Sequence, residues 1–237
     1  MLTSGIKCPV ASGGGNMRVI ETFDIYRFYH NEEEETLALR GVNFQVESGE
    51  IVAVMGPSGS GKSTMLACLS GLDEPDGGYV EVLGRRITRR AEAERAAIRS
   101  AEIGIVRQSE NLFNHLSVED NIRLQMQLGR KVDERRLLDL LDMVHLRHRR
   151  QALPSQISGG ESARAALAVA LANNPKILLA DEPTSEVDAE TERQILDLFA
   201  RHKAQGGAAV ITTHSEALAA HADRIIRLVD GRVVTHA

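Results

Sequence analysis

An α/β domain built on a mainly parallel sheet, with a helical lobe inserted into it, is the fold that these 237 residues predict. Three observations carry that expectation. Glu50–Ser70 reads as a short apolar strand, a glycine-rich turn and a helix. Strand-like runs return at Ile177–Ala180 and Ala208–Thr212, with a helix at about Ala189–Gln205 between them. In the stretch between these halves, roughly Ser109–Ala172, the periodic segments are helical. Strands that alternate with helices imply parallel pairing, because each crossover must return to the same end of the sheet.

Each element has its own signals. Residues 1–16 are rich in Gly and Ser, with one Lys and no apolar stretch, so they read as a flexible tail and not as a signal peptide. Met17 is a second candidate start, and 17–237 reads as one domain. The acidic run Glu32–Glu35 is expected to be a solvated loop between strands. Glu50–Met55 ends at the glycines, Ser63–Ser70 follows as a helix, and Gly71 with Asp73–Gly77 stops it. Tyr79–Val82 and Ile103–Val106 look like strands, and the Arg/Glu-rich stretch Ile87–Ser100 like a solvated face. Ser117 with Asp120 gives an N-cap signal, and Gly129 a stop. After a cap at Asp133, Leu137, Leu140, Leu141 and Val144 recur at helical spacing. A further helix starts at Ser158, and Ile195, Leu198 and Phe199 mark the buried face of the helix that Gly206–Gly207 ends. Arg224–Leu228 and Arg232–Thr235 form a closing strand pair around Asp230–Gly231.

Composition narrows the function. Hydrophobic residues are 43% and charged residues 26%, which suits a globular domain with a sizeable core. A net charge of −5 argues against a nucleic-acid partner, and 3% aromatics with no Trp argues against a base-stacking surface. Cys8 and Cys68 have no metal-site spacing, which suits a reduced, cytosolic setting, and Cys68 among apolar neighbours reads as packing. No apolar run approaches the roughly 18 residues of a membrane span.

The chemistry sits in three motifs. Gly56-Pro57-Ser58-Gly59-Ser60-Gly61-Lys62-Ser63 matches the P-loop pattern, with Thr64 next in the helix. Its glycines let backbone N–H groups wrap a phosphate, and the helix start adds a positive dipole end. Lys62 would reach the β- and γ-phosphates, and Ser63 would ligand Mg²⁺. Lys176–Glu182 is an apolar strand that delivers Asp181, an oxygen ligand for Mg²⁺, and Glu182, which can polarise an attacking water. Ile157-Ser158-Gly159-Gly160-Glu161 opens an Ala-rich helix, with Ser158 and Glu161 spaced as a capping box.

Together these motifs resemble the ATPases of ABC systems, whose signature is usually Leu-Ser-Gly-Gly-Gln. The resemblance runs from about Met17 to the end. It implies a P-loop NTPase core of the ABC type, mainly parallel with an antiparallel β portion, and an α-helical subdomain at about 109–172. It also implies ATP hydrolysis with Mg²⁺. Tyr29 falls where the family stacks adenine, Gln108 at its glutamine loop touching Mg²⁺ or water, and His214 at its γ-phosphate-contacting histidine. Ser185–Asp188 falls at the loop that crosses its dimer interface, so Asp188 joins the nucleotide set. Ser158, Gly159 and Gly160 would bind the γ-phosphate held by a second copy in a head-to-tail homodimer. Three departures stand out, of which Ile157 for the usual Leu is a volume-conserving swap. Glu161 replaces Gln and adds a negative charge near that interface, an expected slight weakening of closure. Arg107 replaces an apolar or aromatic residue beside Gln108.

Lys62 and Ser158 lie 96 residues apart, which leaves no room for the long coiled coils of chromosome-structure relatives. Gly71–Gly78, Gly104–Phe113 and His221–Gly231 look similar to the ATPases of lipoprotein-releasing, macrolide-exporting and cell-division systems. The resemblance therefore implies the ATP-hydrolysing subunit of a bacterial ABC transporter. It would be cytoplasmic and peripheral on the inner face of the membrane, held there by a separate permease. A mechanotransmission or cell-division-type complex without transport, and a soluble ATPase without a permease, are the alternatives.

Overall fold

The computed structural model describes residues 17–30, 35–185 and 187–234. The tail 1–16 with Cys8, the acidic run as far as Glu34, Glu186 and Thr235 lie outside the described residues.

Two sheets form the core. Strands β1 (Arg18–His30), β2 (Glu35–Glu47), β4 (Gly77–Val82) and β5 (Arg85–Arg86) make an antiparallel sheet in the order β2-β1-β4-β5. In β2, Val42, Phe44 and Val46 are buried while Asn43 and Gln45 face out, the two-residue period of a one-sided strand. The second sheet has the order β10-β9-β3-β8-β7-β6. Its parallel strands are β3 (Ile51–Met55), β6 (Ile103–Val106), β7 (Ile177–Asp181), β8 (Ala208–Thr213) and β9 (Arg224–Val229). Only β10 (Arg232–Val234) runs antiparallel, as the return of a hairpin. All five residues of β3 are buried, because both faces of a parallel sheet are covered.

Helices α1 (Lys62–Leu69), α3 (Val118–Leu128), α4 (Glu134–Met143), α5 (Gly159–Ala170) and α6 (Ala189–Ala204) follow the periodic segments. The Ser117 hydroxyl accepts the Asp120 N–H at 3.1 Å, and Asp133 accepts that of Arg136 at 3.0 Å, so both caps form. A short α7 (Glu216–Ala219) follows β8. Helix α2 (Glu92–Glu102) occupies part of the Arg/Glu-rich stretch that reads only as a solvated face. It fully buries no residue; Ile98 packs against the core, and Glu92 pairs with Arg95 at 2.7 Å and with Arg99 at 2.6 Å.

Residues 109–117 are non-helical, and α3 is the first helix of the expected lobe. Its apolar residues do not form a core of their own. Ile122, Met126, Leu137, Leu140 and Leu141 join Leu167, Leu178, Leu198 and Phe199 in one cluster, so α5 ties the lobe to the sheet. On the other face, Ile25, Val42 and Phe44 of the antiparallel sheet pack with Val52, Met65, Leu69 and Val210. Cys68 is buried there, and burial pushes its thiol up to about 12, as expected of a packing residue.

Phe199 is 1% exposed at the junction of α6, α5 and the sheet. Phe199→Ala is expected to cost about 3–5 kcal/mol, to be read as a lowered midpoint with an unchanged slope in denaturant unfolding.

Candidate functional site

The carboxyl ends of parallel strands share one edge, where ligands of open α/β sheets bind. Strand β3 runs into Gly56, β6 toward Gln108, β7 into Asp181–Glu182 and β8 toward His214. These ends and the Gly56–Thr64 loop enclose a cleft of about 510 Å³. Tyr29 stands at its rim, and every P-loop residue except Ser60 lines it. Ser60 is 2% exposed and sits beneath the loop, where its backbone carbonyl accepts the Gly231 N–H at 3.1 Å.

Two glycines are dictated by close approach. A Cβ at Gly56 would lie 2.1 Å from the Leu228 carbonyl oxygen, and one at Gly61 would lie 2.4 Å from that of Ala38. Gly61 also has φ +99, left-handed backbone at the start of α1. The amides of the loop and of the first turn of α1 are thus held at one anion-binding mouth. The Lys62 ammonium donates to the carbonyls of Gly56 at 2.8 Å and Pro57 at 3.1 Å, which tethers it across the loop.

Acids line the opposite wall. Asp181 accepts the Thr212 hydroxyl at 2.5 Å. Glu182 has φ 48, a left-handed conformation costing about 1 kcal/mol. Its N–H donates to the Thr212 carbonyl at 3.0 Å, which holds that conformation. The Glu182 side chain is 12% exposed, and its carboxylate meets His214 Nδ1 at 3.0 Å. The Ser63 hydroxyl, the Asp181 carboxylate and the Gln108 amide oxygen are hard donors around one cleft, a set that fits a cation such as Mg²⁺. Thr36 and Ala38 of β2 complete the lining. These two, and Thr212, were not legible as site residues, since only the strand pairing places them there.

Tyr29 is held from two sides. Its hydroxyl donates to Asp73 at 2.8 Å, and the Arg27 guanidinium lies 4.7 Å from its ring centroid. Arg27 is itself pinned to Asp73 at 2.9 Å and Asp76 at 3.0 Å, in the turn after α1. Burial alone would raise the Asp73 carboxyl, but the hydrogen bonds from Arg27 and Tyr29 outweigh it and hold it below the usual carboxylate range.

Ser158, Gly159, Gly160 and Asp188 do not line this cleft. Ser158 and Gly159 are exposed at the start of α5. The expected capping box forms: Ser158 Oγ accepts the Glu161 N–H at 3.1 Å, and the Ser158 N–H donates to Glu161 Oε2 at 2.8 Å. Gly160 packs on α6, where a Cβ would lie 2.8 Å from Thr191 Oγ1. Asp188 caps α6 by accepting the Thr191 N–H at 2.7 Å. A second hollow joins Gln108, Gly159, Glu182 and Ser185 along the same side of the chain. Arg107 is exposed, and its backbone N–H and carbonyl bond to the Asn111 side chain at 2.7 and 2.6 Å, closing the loop after Gln108.

A carboxylate whose folded-state pKa is lowered stabilises the fold above its unfolded pKa, near 4, and loses that contribution as pH falls through the folded value. Wild type is therefore expected to lose up to about 1 kcal/mol more than Asp73→Asn between pH 6 and pH 3. Thermal unfolding across that range checks it.

The family model described as ABC transporter matches residues 39–185, more than half of the chain. An uncharacterized ABC transporter ATP-binding protein of Thermotoga maritima is 40% identical over 219 residues, covering 91% of this chain and 94% of that protein. The lipoprotein-releasing system ATP-binding protein LolD 2 of Caulobacter vibrioides is 40% identical over 87% of this chain and 92% of its own length. The macrolide export ATP-binding/permease protein MacB of Chlorobium luteolum is 41% identical over 92% of this chain, which spans 33% of that longer protein. Among solved structures, a dimeric ATP-binding cassette in a post-hydrolysis state, bound to ADP and Pi, superposes with a TM-score of 0.87. That structure is 36% identical, covering 91% of this chain and 97% of its own. The phosphate loop, the strand-end acids and these likenesses agree: the chain belongs to the ABC transporter family and is an ATP-binding ATPase of that family.

Proposed function

We propose that two copies of this chain close head-to-tail on two ATP·Mg²⁺ molecules and thereby drive a separate membrane permease. One observation carries this reading. Lys62, Gln108, Asp181, Glu182 and His214 converge on one cleft, while Ser158 and Gly159 are exposed at a helix start outside it. Each chain then holds one whole wall of a site and the detached piece of another.

Within a site, the loop amides and Lys62 bind the β- and γ-phosphates, and Tyr29 stacks on adenine with the ring face that Arg27 does not cover. Mg²⁺, held by Ser63, Asp181 and Gln108, would offset charge on the phosphates. Glu182 accepts a hydrogen bond from the attacking water and takes its proton, because its backbone N–H is held by the Thr212 carbonyl and its carboxylate is placed by His214 beside it. His214, 73% exposed, is free to turn from Glu182 toward the γ-phosphate. Ser158, with the open amides of Gly159 and Gly160, receives that phosphate from the second copy, and Asp188 fixes the loop between them.

Among the described residues no helix is long and apolar enough to cross a membrane. Relatives matched over nearly their whole length are named ATP-binding proteins, and the longer one is named ATP-binding/permease. The names of the near-full-length relatives support a permease supplied by another chain.

Glu182→Gln is expected to retain ATP binding, to lose turnover by about 10²-fold or more, and to accumulate as an ATP-bound dimer in sedimentation velocity. Turnover at the parental rate would remove Glu182 from the catalytic role.

A further inference from the structure

Glu161 places a carboxylate one turn inside a helix start that, in the pairing proposed above, must receive a phosphate. The carboxylate favours its own helix, since acids suit a positive dipole end. Toward an arriving γ-phosphate it is a like charge and repels. A neutral Gln would make the same capping hydrogen bond without that repulsion. A cation of this chain placed beside Glu161 would offset that charge.

The surrounding arginines are mostly committed elsewhere. Arg147 pairs with Asp142 at 2.8 Å, and Arg150 faces Glu119 at 3.6 Å. Arg164 donates to the Val144 carbonyl at 3.1 Å and to Thr191 Oγ1 at 3.3 Å. Arg149 alone of these sends its guanidinium to Glu161, with Nε 3.3 Å from Oε1. The 3₁₀ turn Arg147–Arg149 presents it, anchored by fully buried Leu146, whose carbonyl accepts the Arg149 N–H at 2.9 Å. Glu161 Oε2 meanwhile accepts the Ser158 N–H, so each carboxylate oxygen has its own donor. The Ser158 amide first, and then Arg149 and Arg164, hold the Glu161 carboxyl below the usual range, so the charge to be offset is present at neutral pH.

We propose that Arg149 is a positioning residue that compensates Glu161, so that the Ser158–Gly160 helix start accepts the partner's γ-phosphate despite the acid beside it. This inference rests on the head-to-tail reading. It makes Arg149 conditional on Glu161: with a neutral residue at 161, Arg149 has nothing to compensate.

The test uses the full chain carrying Glu182→Gln, and measures the ATP concentration that half-saturates dimer formation in sedimentation velocity at low salt. Arg149→Gln is expected to raise that concentration about two- to fivefold, and Arg149→Lys to leave it close to the parent's. Adding Glu161→Gln to Arg149→Gln is expected to return it to the parent's value, and raising the salt to shrink the difference. No shift in Arg149→Gln overturns the proposal, and so does an equal shift with Glu161→Gln present, which would mean that Arg149 acts without Glu161. A Glu182→Gln parent that forms no ATP-dependent dimer overturns the pairing itself, and this inference with it.

Discussion

The backbone of Gly56–Gly61 is wedged between other backbones, and the rest of the site depends on that fit. Leu228 of β9 closes on Gly56, Ala38 of β2 closes on Gly61, and the β9–β10 turn bonds to Ser60 from below. The same turn reaches the antiparallel sheet, where Arg40 N–H donates to the Gly231 carbonyl at 2.8 Å. One loop therefore fastens the antiparallel sheet to the parallel sheet. Any side chain at Gly56 or Gly61 must push apart elements that hold Tyr29 on one side and Lys62 on the other. Pre-set amides need no rearrangement when charge arrives, which is why a rigid mouth serves a phosphate-transfer site.

Most of the cleft was legible in the sequence because its parts are strand ends. A short apolar run followed by a polar residue places that residue at the edge of a parallel sheet. Asp181 and Glu182 obey this rule, whereas Gln108 and His214 were named by the family resemblance and line the same cleft. Contributions that depend on neighbours in space were not legible. Thr36 and Ala38 enter the lining only because β2 lies over the start of α1, and Thr212 supports Asp181 across a strand pair. The Arg27–Asp73–Asp76 clamp joins residues more than forty positions apart. Helix α2 escaped for another reason: it fully buries no residue, and its apolar residues besides Ile98, which packs against the core, are alanines among charged neighbours. The helical lobe was visible as a run of helices, yet its core is continuous with the sheet through α5, which no periodicity reveals.

The Ser158–Glu161 segment shows how one substitution is absorbed. Local helix physics favours Glu and Gln almost equally at that capping position. Only the anion expected at the same helix end separates them. Arg149, set by an adjacent 3₁₀ turn on a buried leucine, supplies the opposite charge where the sequence departs from the usual pattern. In the proposed pairing, charge at the edge of the site is balanced within the chain, before a partner is met.

The central claim is that each chain carries two halves of two different sites. Mixing two inactive variants tests it most directly: Lys62→Ala, which damages the phosphate loop, and Ser158→Arg, which blocks the opposing helix start. A mixed pair contains one site with both defects and one with neither. The account predicts that ATP hydrolysis, absent from each variant alone, returns on mixing. Hydrolysis that stays at the sum of the separate variants at every ratio and concentration, while both still fold, would contradict it.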